Sequence, residues 1–373
     1  MSFPKIAVLG AGNGAFITAA DLSLKGFSVN MCEAPEFANN IADIQKIGGI
    51  NLDVRGNPGI KSGFAKLNLI TTDVEKAIEN CDIVLIVVPA FGQRRFAELA
   101  AEHIKSEQIV VLEPGNFYGA LEFAQVLKEK NANVKPTLVE LECMIYSGFK
   151  DNSTTVWASG FKEDLKAGVF PSKDTEKALK VLKCVYPKLD AAKNVLETGL
   201  SNVNTVLHAP ILVLNAGWTE KKLGKFLFYW DGCTPSVGKV VEAVDDERLE
   251  VGRALDLDLV PTKEVLIKWY GHQGAKGETL GEVLATNPAY EWDDAPKSLK
   301  HRFLLEDIPY GMVPMESLGK LAGVQTPITT SIINLACRLT GLDLREKARD
   351  LKTLKLTDVD IEDIKDLMIN GIL

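Results

Sequence analysis

Proton transfer near neutral pH calls for a side chain that changes charge there, and histidine is the one whose ordinary pKa does so. The chain carries four histidines. His103 falls in AELAAEHIKSEQ, read as the exposed part of a helix; His272 sits in the glycine-rich turn YGHQG, and His301 stands between Lys300 and Arg302. His208 differs. It lies in LSNVNTVLHAPILVL, an apolar stretch with helical spacing, and Asn204 precedes it by four residues on the same face. Pro210 is expected to bend or interrupt that helix, which would aim the His208 side chain into the cleft. The plain alternative is a core histidine satisfied by a backbone carbonyl. KHRFLLEDIPYG, at 300–311, adds Arg302 and Asp307 just before a Pro and Gly turn. Arginine suits planar, bidentate capture of a carboxylate, and a buried aspartate can hold an imidazole in one tautomer. Either residue could equally form a surface ion pair.

A second chemistry is written at the N-terminus. Gly10-Ala11-Gly12-Asn13-Gly14-Ala15 follows an apolar run, KIAVLG, and opens the helical stretch GAFITAADLSLKG. The order matches G-x-G-x-x-G/A with Ala15 in the last place, a dinucleotide fingerprint when strand and helix flank it. Gly10 permits the tight turn, Gly12 lets backbone approach a pyrophosphate, and Ala15 allows close helix–strand packing. Phosphates would sit on the helix N-terminus, where the N–H groups of Asn13, Gly14 and their neighbours favour negative charge. Glu33 ends the next strand-like run, FSVNMCE. A carboxylate there accepts hydrogen bonds from ribose hydroxyls and opposes a 2′-phosphate, so NAD is expected in place of NADP. The alternatives are an ordinary strand–helix turn and a solvated carboxylate.

These groups need a scaffold. Short β-branched runs alternate with amphipathic stretches through the first half, predicting an α/β Rossmann-type doubly wound domain over 1–188. Strands are expected at 5–10, 27–33, LNLITT, 82–89, 109–115 and 136–142, with a helix starting near Asp73 and another through Phe96 and Leu99. The segment between Gly48 and Gly63 reads as a small hairpin or loop. From about Asp190 the pattern turns to long helical stretches, predicting a mainly α-helical second domain over 189–373, with a last helix between Leu351 and Leu373. Two domains offer a cleft for a substrate.

A length of 373 residues suits two domains, and 46% hydrophobic with 25% charged residues is ordinary for globular chains. The net charge of −8, with scattered basic residues, gives no footprint for nucleic acid. Cys32, Cys81, Cys143, Cys184, Cys233 and Cys337 are widely spaced and suggest neither a zinc site nor a disulfide framework. No apolar run approaches the ~18–20 residues that span a bilayer, and the N-terminus lacks the pattern of a signal peptide. A cytoplasmic protein without membrane or nucleic-acid partners, either monomer or homodimer, is expected.

GAGNGA (10–15), PGNFYGALEF (114–123), N-x-x-x-H-x-P (204–210), FYWDGCTPSV (228–237), DDER (245–248), NPAY (287–290) and HRFLLEDIPYG (301–311) occur in this order. With these motifs the chain resembles the octopine/opine dehydrogenase family over nearly its whole length. The resemblance implies NAD(P)H-dependent reductive condensation of an amino acid's amine with a 2-oxo acid, pyruvate by preference. It implies His208 as acid/base, Asp307 as its orienting partner, Arg302 as a carboxylate anchor and Asn204 as a residue near substrate. One departure stands out: many relatives carry an arginine after the strand of Glu140, where this chain reads Tyr146-Ser147-Gly148-Phe149-Lys150, and the substrate it takes could differ accordingly. A hydroxy-acid dehydrogenase of related architecture would place a lysine where Asn204 and His208 stand. A non-catalytic NAD sensor would have no use for His208, Arg302 and Asp307.

Overall fold

The computed structural model describes residues 3–56, 59–162 and 164–371. Its strands are β1 (Ile6–Leu9), β2 (Val29–Cys32), β3 (Gly49–Val54), β4 (Gly63–Lys66), β5 (Leu69–Thr71), β6 (Ile83–Ile86), β7 (Ile109–Leu112), β8 (Thr137–Leu141), β9 (Tyr146–Lys150), β10 (Thr155–Phe161), β11 (Lys166–Phe170) and β12 (Asp190–Ala191). The chain forms two compact units, one running through Thr198 and including the residues from Leu367, the other from Gly199 to Asp366.

In the first unit eight strands form a sheet in the order β12-β11-β8-β7-β6-β1-β2-β5. Neighbours pair in parallel except β8 and β11, whose antiparallel pairing makes the sheet mixed. Every residue of β1 and β6 is buried, as expected of strands covered on both faces. Their IAVL and IVLI sequences are therefore continuous apolar runs without alternation. The chain leaves β1 toward β2 on one side, while β6 lies on the other. That reversal puts a crevice beyond the carboxyl ends of β1 and β6, the usual ligand position in such sheets.

The expected strands and helices of this half are present, the helix near Asp73 being capped by the Asp73 carboxylate itself. The helix through Phe96 spans Ala90–Ala100, so His103 lies just beyond it and not within it. The Gly48–Gly63 segment does form a hairpin: β3 and β4 pair antiparallel with Gly49 opposite Lys66. The hairpin is part of something larger, a second sheet ordered β4-β3-β10-β9 that packs on the first helix, α1 (Asn13–Leu24). Sequence patterning did not disclose this sheet. Its central pair joins Thr155 to Asn51 in parallel across the chain, and YSGFK carries too much glycine and serine to read as a strand by itself.

The second unit is helical, with α2 (Val203–Leu214), α3 (Pro235–Ala254), α4 (Thr262–Tyr270), α5 (Leu280–Thr286), α6 (Arg302–Leu305), α7 (Val313–Leu321) and α8 (Pro327–Thr340) as principal elements. Pro210 neither ends nor interrupts α2, which runs on to Leu214. The acidic side chains of α3 hold three neighbours by their N-termini. Glu242 accepts from the backbone N–H of Leu280 at 2.7 Å, Asp245 from that of Thr262 at 2.9 Å, and Glu247 from those of Ile328 and Thr329 at 2.7 and 2.9 Å. Each carboxylate meets N–H groups left unpaired by helix geometry and the positive end of a dipole. Arg248 pairs with Asp245 and donates to the Leu200 and Val260 carbonyls, so this buried charge is fully surrounded by acceptors. The C-terminal helix is shorter than expected, Ile361–Asn370, preceded by turns.

Candidate active site

At the end of β1 the chain turns on Gly10, whose φ of +112° is one that L side chains rarely adopt. A β-carbon there would also lie 2.6 Å from the Val87 carbonyl oxygen beyond β6, so the turn and its approach to β6 both require glycine. Gly12 is the N-cap of α1, and among the described residues no side chain caps this helix. A β-carbon on Gly12 would meet nothing within 4 Å. Open space and uncapped N–H groups in front of a helix start suit a pyrophosphate. Ala15 is fully buried, where the helix packs on the sheet. Asn13 is tied to β9, its Oδ1 accepting from the Lys150 backbone N–H at 3.1 Å. Glu33, just past β2, is buried rather than a solvated loop carboxylate. It accepts from the Ala34 N–H at 2.8 Å and from Asn40 Nδ2 at 3.1 Å, bonds that fix the carboxylate at the crevice rim. The first unit thus has the elements a dinucleotide needs.

The second unit holds the proton-transfer candidates. His208 lies on α2 with its ring buried, and both nitrogens are engaged. Nδ1 is 2.6 Å from Asp307 Oδ2, and Nε2 is 2.9 Å from the Tyr229 hydroxyl. A carboxylate and a phenol, not the expected backbone carbonyl, satisfy the buried ring. When Nδ1 carries the proton and donates it to Asp307, Nε2 is left to accept from the Tyr229 hydroxyl. The Phe303 ring stacks on the imidazole at 3.8 Å between centroids, Phe228 packs edge-on at 6.2 Å, and Tyr290 stacks on Tyr229 at 4.2 Å. These aromatic walls lower the local dielectric and so strengthen the His208–Asp307 attraction.

Asp307 reaches His208 because the backbone after α6 makes a π-turn, Ile308–Met312, before α7. Such turns are rare and concentrate at functional sites. Gly311 permits it: a β-carbon there would stand 2.4 Å from Thr205 Oγ1 on α2. Arg302 opens α6 and pairs through Nε with the buried Glu306 at 2.9 Å, its own guanidinium remaining half exposed. Asn204 sits one turn before His208 on α2, its N–H capped by the Asn202 side chain.

Two members of this cluster were not singled out from sequence. Tyr229 belongs to FYWDG, and nothing in that spacing tells which aromatic faces the histidine. His301 stands between two cations, Lys300 and Arg302, a pattern that does not mark it as a buried histidine. It caps α6, accepting from the Phe303 N–H at 3.4 Å, and packs edge-on against Phe303. Burial first, and then the neighbouring Arg302 guanidinium, hold its pKa down at about 4 against the opposing pull of Asp307, so it is neutral at physiological pH. His272 lies exposed in a 3-10 turn. Among the described residues no group of three His, Cys, Asp or Glu side chains could hold a metal ion, and no helix is long and apolar enough to cross a membrane.

The chain is similar to known proteins. A family model described as NAD/NADP octopine/nopaline dehydrogenase, alpha-helical domain, matches residues 191–340, and one described as NAD-dependent glycerol-3-phosphate dehydrogenase N-terminus matches residues 5–137. The opine dehydrogenase of Arthrobacter sp. (strain 1C) is 35% identical over 360 residues, covering 96% of this chain and 97% of its own. Protein ocs of Agrobacterium tumefaciens (strain Ach5) is 25% identical over 356 residues, 94% of this chain and 95% of its own. In fold the chain is similar to an octopine dehydrogenase solved in complex with NADH and agmatine, with a TM-score of 0.80 at 21% identity over 99% of this chain and 98% of that one.

Proposed function

The chain belongs to the octopine/opine dehydrogenase family, and from that premise we propose that it condenses the amine of an amino acid with a 2-oxo acid, reductively and at the expense of NADH, and catalyses the reverse oxidation at the CH–NH bond. The observation that carries the mechanism is the buried His208–Asp307 pair at 2.6 Å. In this reading the cofactor-binding half is drawn from residues 1–188 and the proton-handling half from within 189–373. Gly10, Gly12, Asn13, Gly14 and Ala15 form the pyrophosphate turn, and Glu33 receives the ribose hydroxyls. Bound NADH supplies the hydride. NADP is disfavoured by the fixed Glu33 carboxylate.

His208 accepts a proton as the amine becomes nucleophilic and gives it to the carbinolamine hydroxyl, which leaves as water to form the imine; after hydride reaches the imine carbon, a further proton from solvent completes the nitrogen. Asp307 holds the ring in one tautomer and stabilises the imidazolium between those steps. The half-exposed Arg302 anchors a substrate carboxylate, and Asn204 lies on the helix face that leads to His208. Holding two substrates in one geometry removes the entropic cost of their encounter. A cytoplasmic location accords with six free cysteines.

The test follows NADH absorbance with pyruvate and each amino acid in turn, beside pyruvate alone and each amino acid alone. Oxidation that needs both substrates is expected and names the amine. Oxidation with the oxo acid alone would make the protein a hydroxy-acid dehydrogenase, and NADH binding without oxidation in any combination would make it a sensor.

A further inference from the structure

The stretch that departs from the family pattern, Tyr146 to Lys150, is β9, and its last residue reaches the dinucleotide turn. The Lys150 N–H holds Asn13, and its Nζ donates to the Ala11 carbonyl oxygen at 2.6 Å, inside the G-x-G segment. The same ammonium lies 3.3 Å from the centroid of the Phe16 ring in the first turn of α1. An ammonium has three N–H donors, and one protein acceptor meets it among the described residues. A half-buried cation so placed costs desolvation.

We propose that Lys150 is a cofactor-binding residue whose ammonium meets the pyrophosphate at the Gly10–Gly14 turn, adding a point charge to the N–H groups of α1. The inference rests on the reading of this unit as an NADH site. Its surroundings isolate the effect. On α1 the one charged side chain, Asp21, pairs with Lys25 just past the far end of the helix. The β10 partner carries no charged side chain, and the adjoining Asp151 is paired with Arg55 beyond β3. Glu33 is the charge that faces Lys150, and it raises the pKa, yet burial outweighs it and holds the pKa down at about 8. A bound anion favours the ammonium and draws that pKa up. NADH binding at pH near 8 therefore takes up protons, and affinity, steady at lower pH, falls as pH rises past 8.

Isothermal titration of NADH without substrates reads both effects. Lys150→Met should weaken NADH and ADP-ribose by roughly 10–100-fold at about pH 7, the usual loss of a hydrogen bond to a charged group, and Lys150→Arg should recover most of it. Wild-type affinity should fall between about pH 7 and about pH 9 while the methionine variant stays flat. Proton uptake near pH 8, read from wild-type protein in two buffers of different ionisation enthalpy, needs no variant to fold. Equal NADH affinity and equal pH slope in wild type and Lys150→Met, even with a lowered melting temperature, would reduce Lys150 to a clamp on the turn. A wild-type protein that binds no NADH would overturn the cofactor reading and this inference together.

Discussion

Both nitrogens of the His208 ring are committed before any substrate arrives, and the two commitments differ in kind. Asp307 at Nδ1 is a carboxylate placed to orient the ring, whereas the Tyr229 hydroxyl at Nε2 occupies the atom that exchanges protons in the proposed mechanism. His208→Ala should lower kcat by roughly 10²–10⁴ with NADH affinity little changed, and near-normal turnover in that variant would end the assignment. Tyr229→Phe separates a relay from an obstruction. If protons pass through the phenol, kcat falls and its pH profile shifts; if the phenol must turn aside for substrate, kcat holds or rises and KM drops. The placement of Tyr229 against the imidazole favours the relay, so the expected outcome is a fall in kcat with a displaced pH profile. His208, Asn204, Arg302 and Asp307 were legible as candidates because their types and neighbours suit the chemistry. Tyr229 was not, since its distance from His208 is set by the loop that precedes α3 and not by any period in the sequence.

Elements bring these residues to their places through a few backbone positions. Asp307 leads directly into the π-turn after α6, and that turn can lie against α2 only because position 311 has no side chain. Gly311→Ala should push the turn from Thr205 and lengthen the His208–Asp307 bond. The expected result is a kcat loss of about 10-fold or more, in a protein destabilised by roughly 1–3 kcal/mol of overpacking. An alanine variant with unchanged kcat would show that the pair tolerates displacement of the turn. The DDER motif, by contrast, serves the scaffold. Asp245 and Glu247 anchor the N-termini of α4 and α8, and Arg248 pairs with Asp245, so these three residues hold helices of the second unit in place. Pro210 shows the limit of local rules at this scale. A proline inside a helix removes one hydrogen bond and invites a break, but twelve residues of apolar, nearly wholly buried helix keep α2 continuous.

At the scale of the whole molecule, burial decides how charge and stability depend on pH. Glu113, just past β7, is fully buried; one oxygen accepts from the Ile145 N–H at 3.2 Å, and the other meets no hydrogen-bond donor among the described residues. Burial raises its pKa to about 7, against the partial opposition of that bond and of Lys162. A folded-state pKa above the unfolded one means that the protonated form is favoured by folding. The contribution is therefore complete below the ordinary carboxyl pKa and is lost as pH rises through 7. Denaturant titrations should find the wild type losing up to about 3 kcal/mol between about pH 4.5 and pH 8 relative to Glu113→Gln, and parallel curves would rule this out. What the sequence determined by itself is the alternation that makes an α/β sheet, the glycine turn with its helix and Glu33, and the apolar helix that bears His208, because each is a local pattern of a few residues. Tertiary structure alone decided the second sheet on α1, the pairing of His208 with Asp307 and Tyr229, and the approach of Lys150 to Ala11, because these join positions far apart in the chain. Local periodicity dictates which face of an element is apolar, but only packing dictates which distant side chain meets it.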